Sequence, residues 1–165
     1  MYVDFDKMPN EARVWVYQAN RPLSDTDVAT IEQALQPALS QWAAHGQPLL
    51  ASAKVIKNRF VVVAVDEGFN LPSGCSIDTS VRTLQDIGRQ VDVDFFDRSA
   101  AVQTDEGTVQ TYSLPTIKEA VQNGSLTPST TVFNTLVKTK SEFLESWTVS
   151  AADSWLNRYF KSIKA

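Results

Sequence analysis

The six residues Phe60-Val61-Val62-Val63-Ala64-Val65 are apolar without a break. Successive side chains of a strand point to opposite faces, so a strand that is apolar at every position belongs in the middle of a sheet. Ala53-Lys54-Val55-Ile56 precedes it across Lys57-Asn58-Arg59. This reads as a hairpin in which Asn58 suits a positive φ. Arg13-Val14-Trp15-Val16-Tyr17 is a further β-rich run, closed by the turn cluster Asn20-Arg21-Pro22.

Two helices separate these strands from their neighbours. Ser24 is placed to cap the first, with Asp25 and Asp27 in its opening turn and Val28, Ile31, Leu35, Leu39 and Trp42 at helical spacing, ending near His45-Gly46. Pro37 removes one backbone donor inside it and predicts a kink. From Cys75 onward Ile77, Val81, Leu84, Ile87 and Val91 recur at spacings of four, three, three and four. This predicts an amphipathic helix, followed by alternation over residues 92–96.

The remaining chain reads as a hairpin around Asp105-Glu106-Gly107 and a short helix between Ser113 and Gly124. A strand from Thr130 toward Val137 follows, then a capping box at Thr139-Lys140-Ser141-Glu142. A last amphipathic helix over 150–165 carries Trp155, Leu156, Tyr159, Phe160 and Ile163. Residues 1–10 lack periodicity and read as a loose arm. The order predicts one α+β domain over 1–165, with helices on a mainly antiparallel sheet. Its start matches the ferredoxin-like βαββαβ pattern.

With 165 residues, 43% of them hydrophobic, the chain is long enough for one self-sufficient core. No apolar run approaches the ~20 residues of a membrane span. Met1–Lys7 has neither a basic n-region nor an apolar h-region, so a cytoplasmic location is expected. A net charge of -4 argues against nucleic acid as a general partner. The charge is uneven: residues 66–106 hold nine acids against three Arg, and residues 138–165 hold five bases against three acids. Two solvated faces explain this, and a basic C-terminal helix on an acidic partner is the alternative.

The inventory also excludes chemistry. Glycines stand at 46, 68, 74, 88, 107 and 124, so no Walker A loop, dinucleotide-binding loop or nucleophile elbow is possible. One histidine and one cysteine rule out a His-Glu-x-x-His zinc site, a Cys-x-x-Cys motif and an internal disulfide. Asp92, Asp94 and Asp97 lack the glycine and glutamate of a calcium loop. No metal and no cofactor is expected.

The surviving candidate is the segment 66–78, which leaves a buried strand and opens a helix. Backbone amides at a helix start attract anions and can activate a thiol. One reading makes Cys75 a nucleophile, His45 its base and Asp78 or Asp66 an orienting carboxylate. Another makes Asp66, Glu67, Gly74, Cys75 and Ser76 a non-catalytic site for a small ligand or protein partner. In the plainest reading Cys75 is packing, Ser76 caps the helix and Asp78 complements its dipole. The aromatic tail suits docking on the core, and if exposed it suits a partner or a second copy in a homodimer.

Several of these residues carry a resemblance. Arg13 to Gln18 with Asn20 to Leu23, Trp42-x-x-His45-Gly46, Asn58-Arg59-Phe60 through Glu67, and Gly74 to Asp78 resemble a small, uncharacterised bacterial family. The likeness continues through Phe96-Asp97-Arg98, Val132 to Val137 and Ser154-Trp155. Members of that family often carry the label ABC transporter ATPase. Without a Walker A loop, or a Leu-Ser-Gly-Gly signature, the resemblance implies membership and no ATPase activity. A binding module using the 66–78 loop is the leading expectation, with a thiol enzyme and a self-associating structural protein as alternatives.

Overall fold

A computed structural model describes residues 1–161. Ile163 and Lys164, expected in the last helix, lie outside the described residues. In chain order the elements are β1 (Arg13–Gln18), α1 (Asp25–Ser40), β2 (Ala43–Ala44), β3 (Gln47–Pro48), β4 (Ala51–Ile56), β5 (Phe60–Val65) and α2 (Gly74–Val91). They continue with β6 (Ala100–Gln103), β7 (Val109–Tyr112), α3 (Ile117–Gln122), β8 (Thr131–Phe133), α4 (Lys140–Ser146), β9 (Thr148–Ser150) and α5 (Asn157–Lys161). The fold is α+β, and every pairing between named strands is antiparallel. Two compact units form, the first from Met1–Asp97 and Thr135–Glu145, the second from Arg98–Asn134 and the described residues from Ser146 onward.

In the first unit β5 is the central strand of the order β1-β5-β4, and all six of its residues are buried. On one face Val61, Val63 and Val65 join Ile31, Leu35 and Leu39 of α1 and Leu84 and Ile87 of α2 in one apolar cluster. Phe60, Val62 and Ala64 face the other way and are equally buried. Cover there comes from the N-terminal residues and α4. Phe5 meets Phe143 edge-on at 5.8 Å, and Lys54 lies 6.0 Å over the Phe5 ring. The first residues are therefore a docked segment rather than a loose arm. Val3 donates to the Ala51 carbonyl and Ala51 to that of Met1, each bond completing part of the outer edge of β4.

The order of β1, β5 and β4 reproduces the first three strands of the split βαβ pattern. The expected fourth strand at 92–96 is one parallel bridge, Gln18 with Phe96. Asp92 caps α2 in the left-handed conformation (φ 57°), and the Asp94 carboxylate takes the Phe96 amide, which turns the chain before a ladder can extend. Likewise α1 ends at Ser40, ahead of His45. His45 (φ 52°) and Gly46 (φ 76°) form the two-residue turn joining β2 to β3, a conformation that ends helices and starts hairpins. The hairpin at Lys57-Asn58-Arg59 is as expected. Asn58 has φ 50° and its side-chain amide donates to the Leu23 carbonyl and the Asp25 carboxylate.

Arg21 ties the two helices of this unit together. Its guanidinium donates to the Val91 and Asp92 carbonyls at the end of α2 and to the Asp27 carboxylate at 2.9 Å. Asp27 also completes the Ser24 capping box. The Arg21 bond, followed by the Ser24 amide, holds the Asp27 carboxyl below the ordinary range. A depressed carboxyl stabilises the fold above the unfolded pKa and loses that contribution as pH falls through the folded one. Acidification below about pH 4 is accordingly expected to lower the unfolding midpoint of the wild type more than that of Asp27→Asn. Parallel curves in a thermal-melt series would contradict this.

The second unit is a four-stranded sheet of order β7-β6-β8-β9. Val102 and Val132 pack with Ile117 and Val121 of α3, and with Leu156 and Phe160. The expected hairpin is present, with Gly107 at φ 81°. The final helix is interrupted: a 3-10 turn at Ala151–Asp153 precedes α5, and β9 was not anticipated. Ser150 still opens the turn, its hydroxyl donating to the Asp153 carboxylate.

Candidate functional site

The 66–78 loop leaves β5 in a tight, self-bonded turn. The Asp66 carboxylate accepts the Gly68 amide at 2.9 Å, and its carbonyl accepts the Phe69 amide at 3.1 Å. The Asp66 amide in turn donates to the Leu50 carbonyl. Glu67 stands 4.0 Å from Arg13, whose guanidinium lies 4.7 Å over the Trp15 ring. Asn70 reaches across to β3, donating to the Pro48 carbonyl at 2.6 Å. Asp66 and Glu67 thus fix the base of the loop.

The other end is fixed by the start of α2. Ser73 is the cap: its hydroxyl accepts the Ser76 amide at 3.1 Å while the Ser76 hydroxyl accepts the Ser73 amide at 2.6 Å. Ser76 is consequently the third residue of the helix, the far partner of the capping box, rather than the cap itself. It is buried, and its carbonyl accepts the Trp42 indole N–H at 2.6 Å. That bond explains why the buried stripe of α2 begins with Ser76 and Ser80 while Ile77 and Val81 are half-buried. Small side chains there leave room for Trp42, which stacks edge-on with Trp15 at 6.4 Å. Beside them burial pushes the Tyr17 phenol up, opposed by a hydrogen bond to Ser80.

Gly74 and Cys75 open the helix and both are exposed. A Cβ at Gly74 would meet nothing within 4 Å, so no close backbone approach requires glycine there. Among the described residues the thiol of Cys75 makes no hydrogen bond, while its carbonyl accepts from the Thr79 hydroxyl at 2.9 Å. His45 is exposed at the β2–β3 turn, and no hydrogen bond joins its ring to Cys75, Asp66 or Asp78. Asp78 is exposed on α2 without an ion pair among the described residues. Among the described residues no hydrogen bond links the thiol, the imidazole and the carboxylates into a nucleophile–base–carboxylate chain. Replacing His45 with alanine is expected to leave the Cys75 alkylation rate unchanged from about pH 6 to 9. A fall of about tenfold would couple the two.

No group of three or more His, Cys, Asp or Glu side chains suited to a metal occurs among the described residues. Asp92, Asp94 and Asp97 are used separately: Asp92 caps α2, Asp94 takes the Phe96 amide and Asp97 accepts from Gln18 at 3.3 Å. What the residue pattern concealed is the middle of the loop. Phe69 and Leu71 flank the anchored Asn70 and are exposed by 44% and 67%. Their only sequence signal is two large apolar residues in a turn-rich stretch between Gly68 and Gly74.

No protein-family model matches the chain, and no curated protein or solved structure was found similar to it. No helix among the described residues is long and apolar enough to cross a membrane.

Proposed function

We propose that the chain is a protein-binding module that presents the 66–78 loop to its partner. The observation that carries this is the exposure of Phe69 and Leu71 on a loop held at both ends, by the Asp66 turn and the Ser73–Ser76 box. Exposed apolar side chains gathered on a surface mark interaction sites, and a loop already held in shape loses little entropy when it docks. Side chains standing this far into solvent suit a partner that supplies the receiving cavity, so a protein is favoured over a small ligand. A cytoplasmic location belongs to the same reading, supported by the exposed lone thiol, which suits a reducing compartment. Membership of the bacterial family it resembles belongs to the same reading, without the ATPase activity of the label.

The test is the native mass of the tagged chain in extracts of its own cells. The wild type should run in an assembly larger than its 18.3 kDa, whether with another protein or a second copy. Phe69→Ser with Leu71→Ser should run alone while its unfolding free energy stays within about 0.5 kcal/mol, as surface changes usually do. Equal behaviour of the two proteins would overturn the reading.

A further inference from the structure

In the sheet of the second unit β6 pairs with β7 at four positions but with β8 at one, Val102 with Val132. Past that bridge β6 runs on to its hairpin, the chain leading into β8 forms the turn Thr127-Pro128-Ser129-Thr130, and the two part. A groove of about 580 Å³ opens between them. Buried Val102 and half-buried Tyr112 line it, and both pack with the apolar cluster of this unit. Gln110 stands opposite Val102 in the β6–β7 register and so shares its face.

Both walls carry hydroxyls that are already held in place. On the β6 side Thr104 Oγ1 accepts the Thr108 amide at 3.1 Å and lies 2.6 Å from the Thr108 hydroxyl. On the other side the Thr130 amide donates to the Thr127 carbonyl at 3.1 Å and the Thr127 amide to Thr130 Oγ1 at 3.0 Å. The Thr127 hydroxyl also meets those of Ser129 and Thr130, at 3.1 and 3.2 Å. This turn is pinned from outside, Leu126 donating to the Ala120 carbonyl, Ala152 to that of Pro128 and Ala151 to that of Thr130. A hydroxyl offers one donor and two acceptor sites, so these bonds leave each wall able to bond a ligand as well. No Lys, Arg or His lines the groove among the described residues. A phosphate or carboxylate would find no counter-charge in it, and an apolar ligand would strip water from hydroxyls without replacing its bonds.

We propose that this groove binds a neutral saccharide, held by the hydroxyls of Thr104, Thr127 and Thr130 and the Gln110 amide, with its C–H face on the Tyr112 ring. A sugar's own hydroxyls both donate and accept, as those of the walls do, and an aromatic ring takes the apolar side that such a ligand also has. The volume lies within the ~300–1,000 Å³ of small-ligand sites, and walls already pinned lose little freedom when the ligand arrives. The groove shares no residue with the 66–78 loop and goes beyond the reading given to that loop.

The probes are maltose, cellobiose, lactose and diacetylchitobiose, each titrated into the isotope-labelled full chain and followed through its amide resonances. At least one should give saturable shifts gathered at Thr104, Gln110, Thr127 and Thr130. Gln110→Ala, a change at an exposed position, should weaken that binding about fivefold, the scale of one hydrogen bond. Tyr112→Leu should abolish it while Tyr112→Phe, which keeps the ring, retains it. Should Tyr112→Leu unfold, Gln110→Ala carries the test. Spermidine should leave the same amides unmoved, and an equal response to it would mark a cation held by Asp105 and Glu106 and overturn the proposal. No saturable shift with any of the sugars, shifts gathered elsewhere on the chain, or unchanged affinity in Gln110→Ala would each overturn it too.

Discussion

Lys140→Ala is expected to cost about 3 kcal/mol of stability and to release the first ten residues from the sheet. The Lys140 side chain is only 6% exposed, and its ammonium donates to the Met8 carbonyl at 2.8 Å and the Asp6 carbonyl at 3.1 Å while lying 5.5 Å from the Phe5 ring. A hydrogen bond to a charged group contributes about 1.5–3 kcal/mol, and truncation also leaves two acceptors without their donor. The consequence extends to Phe60, Val62 and Ala64, whose outer face those residues help to cover. Denaturant unfolding would measure the loss, and faster exchange of the Val3 amide, which bonds the Ala51 carbonyl, would report detachment. A loss below about 0.5 kcal/mol would mean that apolar contacts alone hold the segment.

Gly88→Ala is expected to destabilise by about 2 kcal/mol, against the usual direction of such a change. In an ordinary helix interior alanine gains about 1 kcal/mol over glycine. Here a Cβ would press on the Val93 carbonyl oxygen, with Phe95 Cδ2 3.5 Å away. The Val93 amide donates back to the Gly88 carbonyl at 2.8 Å, so the backbone around the Asp92 turn is locked against the residue that would have to grow. A backbone oxygen in that position yields far less than a side chain, and strain of this kind costs about 1–3 kcal/mol. A stabilised variant in chemical unfolding would show that the turn gives way.

How much of this was legible depends on which interactions are local. The burial of Phe60 to Val65 follows from strand alternation alone, and the Ser24 cap and the positive φ of Asn58 follow from side chains bonding within a few residues. The docking of the first ten residues was not legible, because Lys140 meets Asp6 and Met8 across more than 130 positions. The first half of the α2 stripe was misplaced by one residue, at Ile77 and Val81 instead of Ser76 and Ser80, for a similar reason: Trp42 claims space beside Ser76, and no periodicity within the helix records it. At the site, sequence singled out the residues with reactive groups. The exposure of Phe69 and Leu71 is settled by the loop anchors at Asp66, Asn70 and Ser73 rather than by any motif.

The most direct measurement uses Cys75 itself, the only cysteine, exposed near the end of the 66–78 loop. A photoreactive maleimide attached to it and activated in a fresh extract should yield a discrete covalent adduct with the partner, another protein or a second copy. The adduct should disappear in Phe69→Ser with Leu71→Ser. An adduct that persists unchanged in that variant, or none in the wild type, would contradict a loop built to dock on a protein partner.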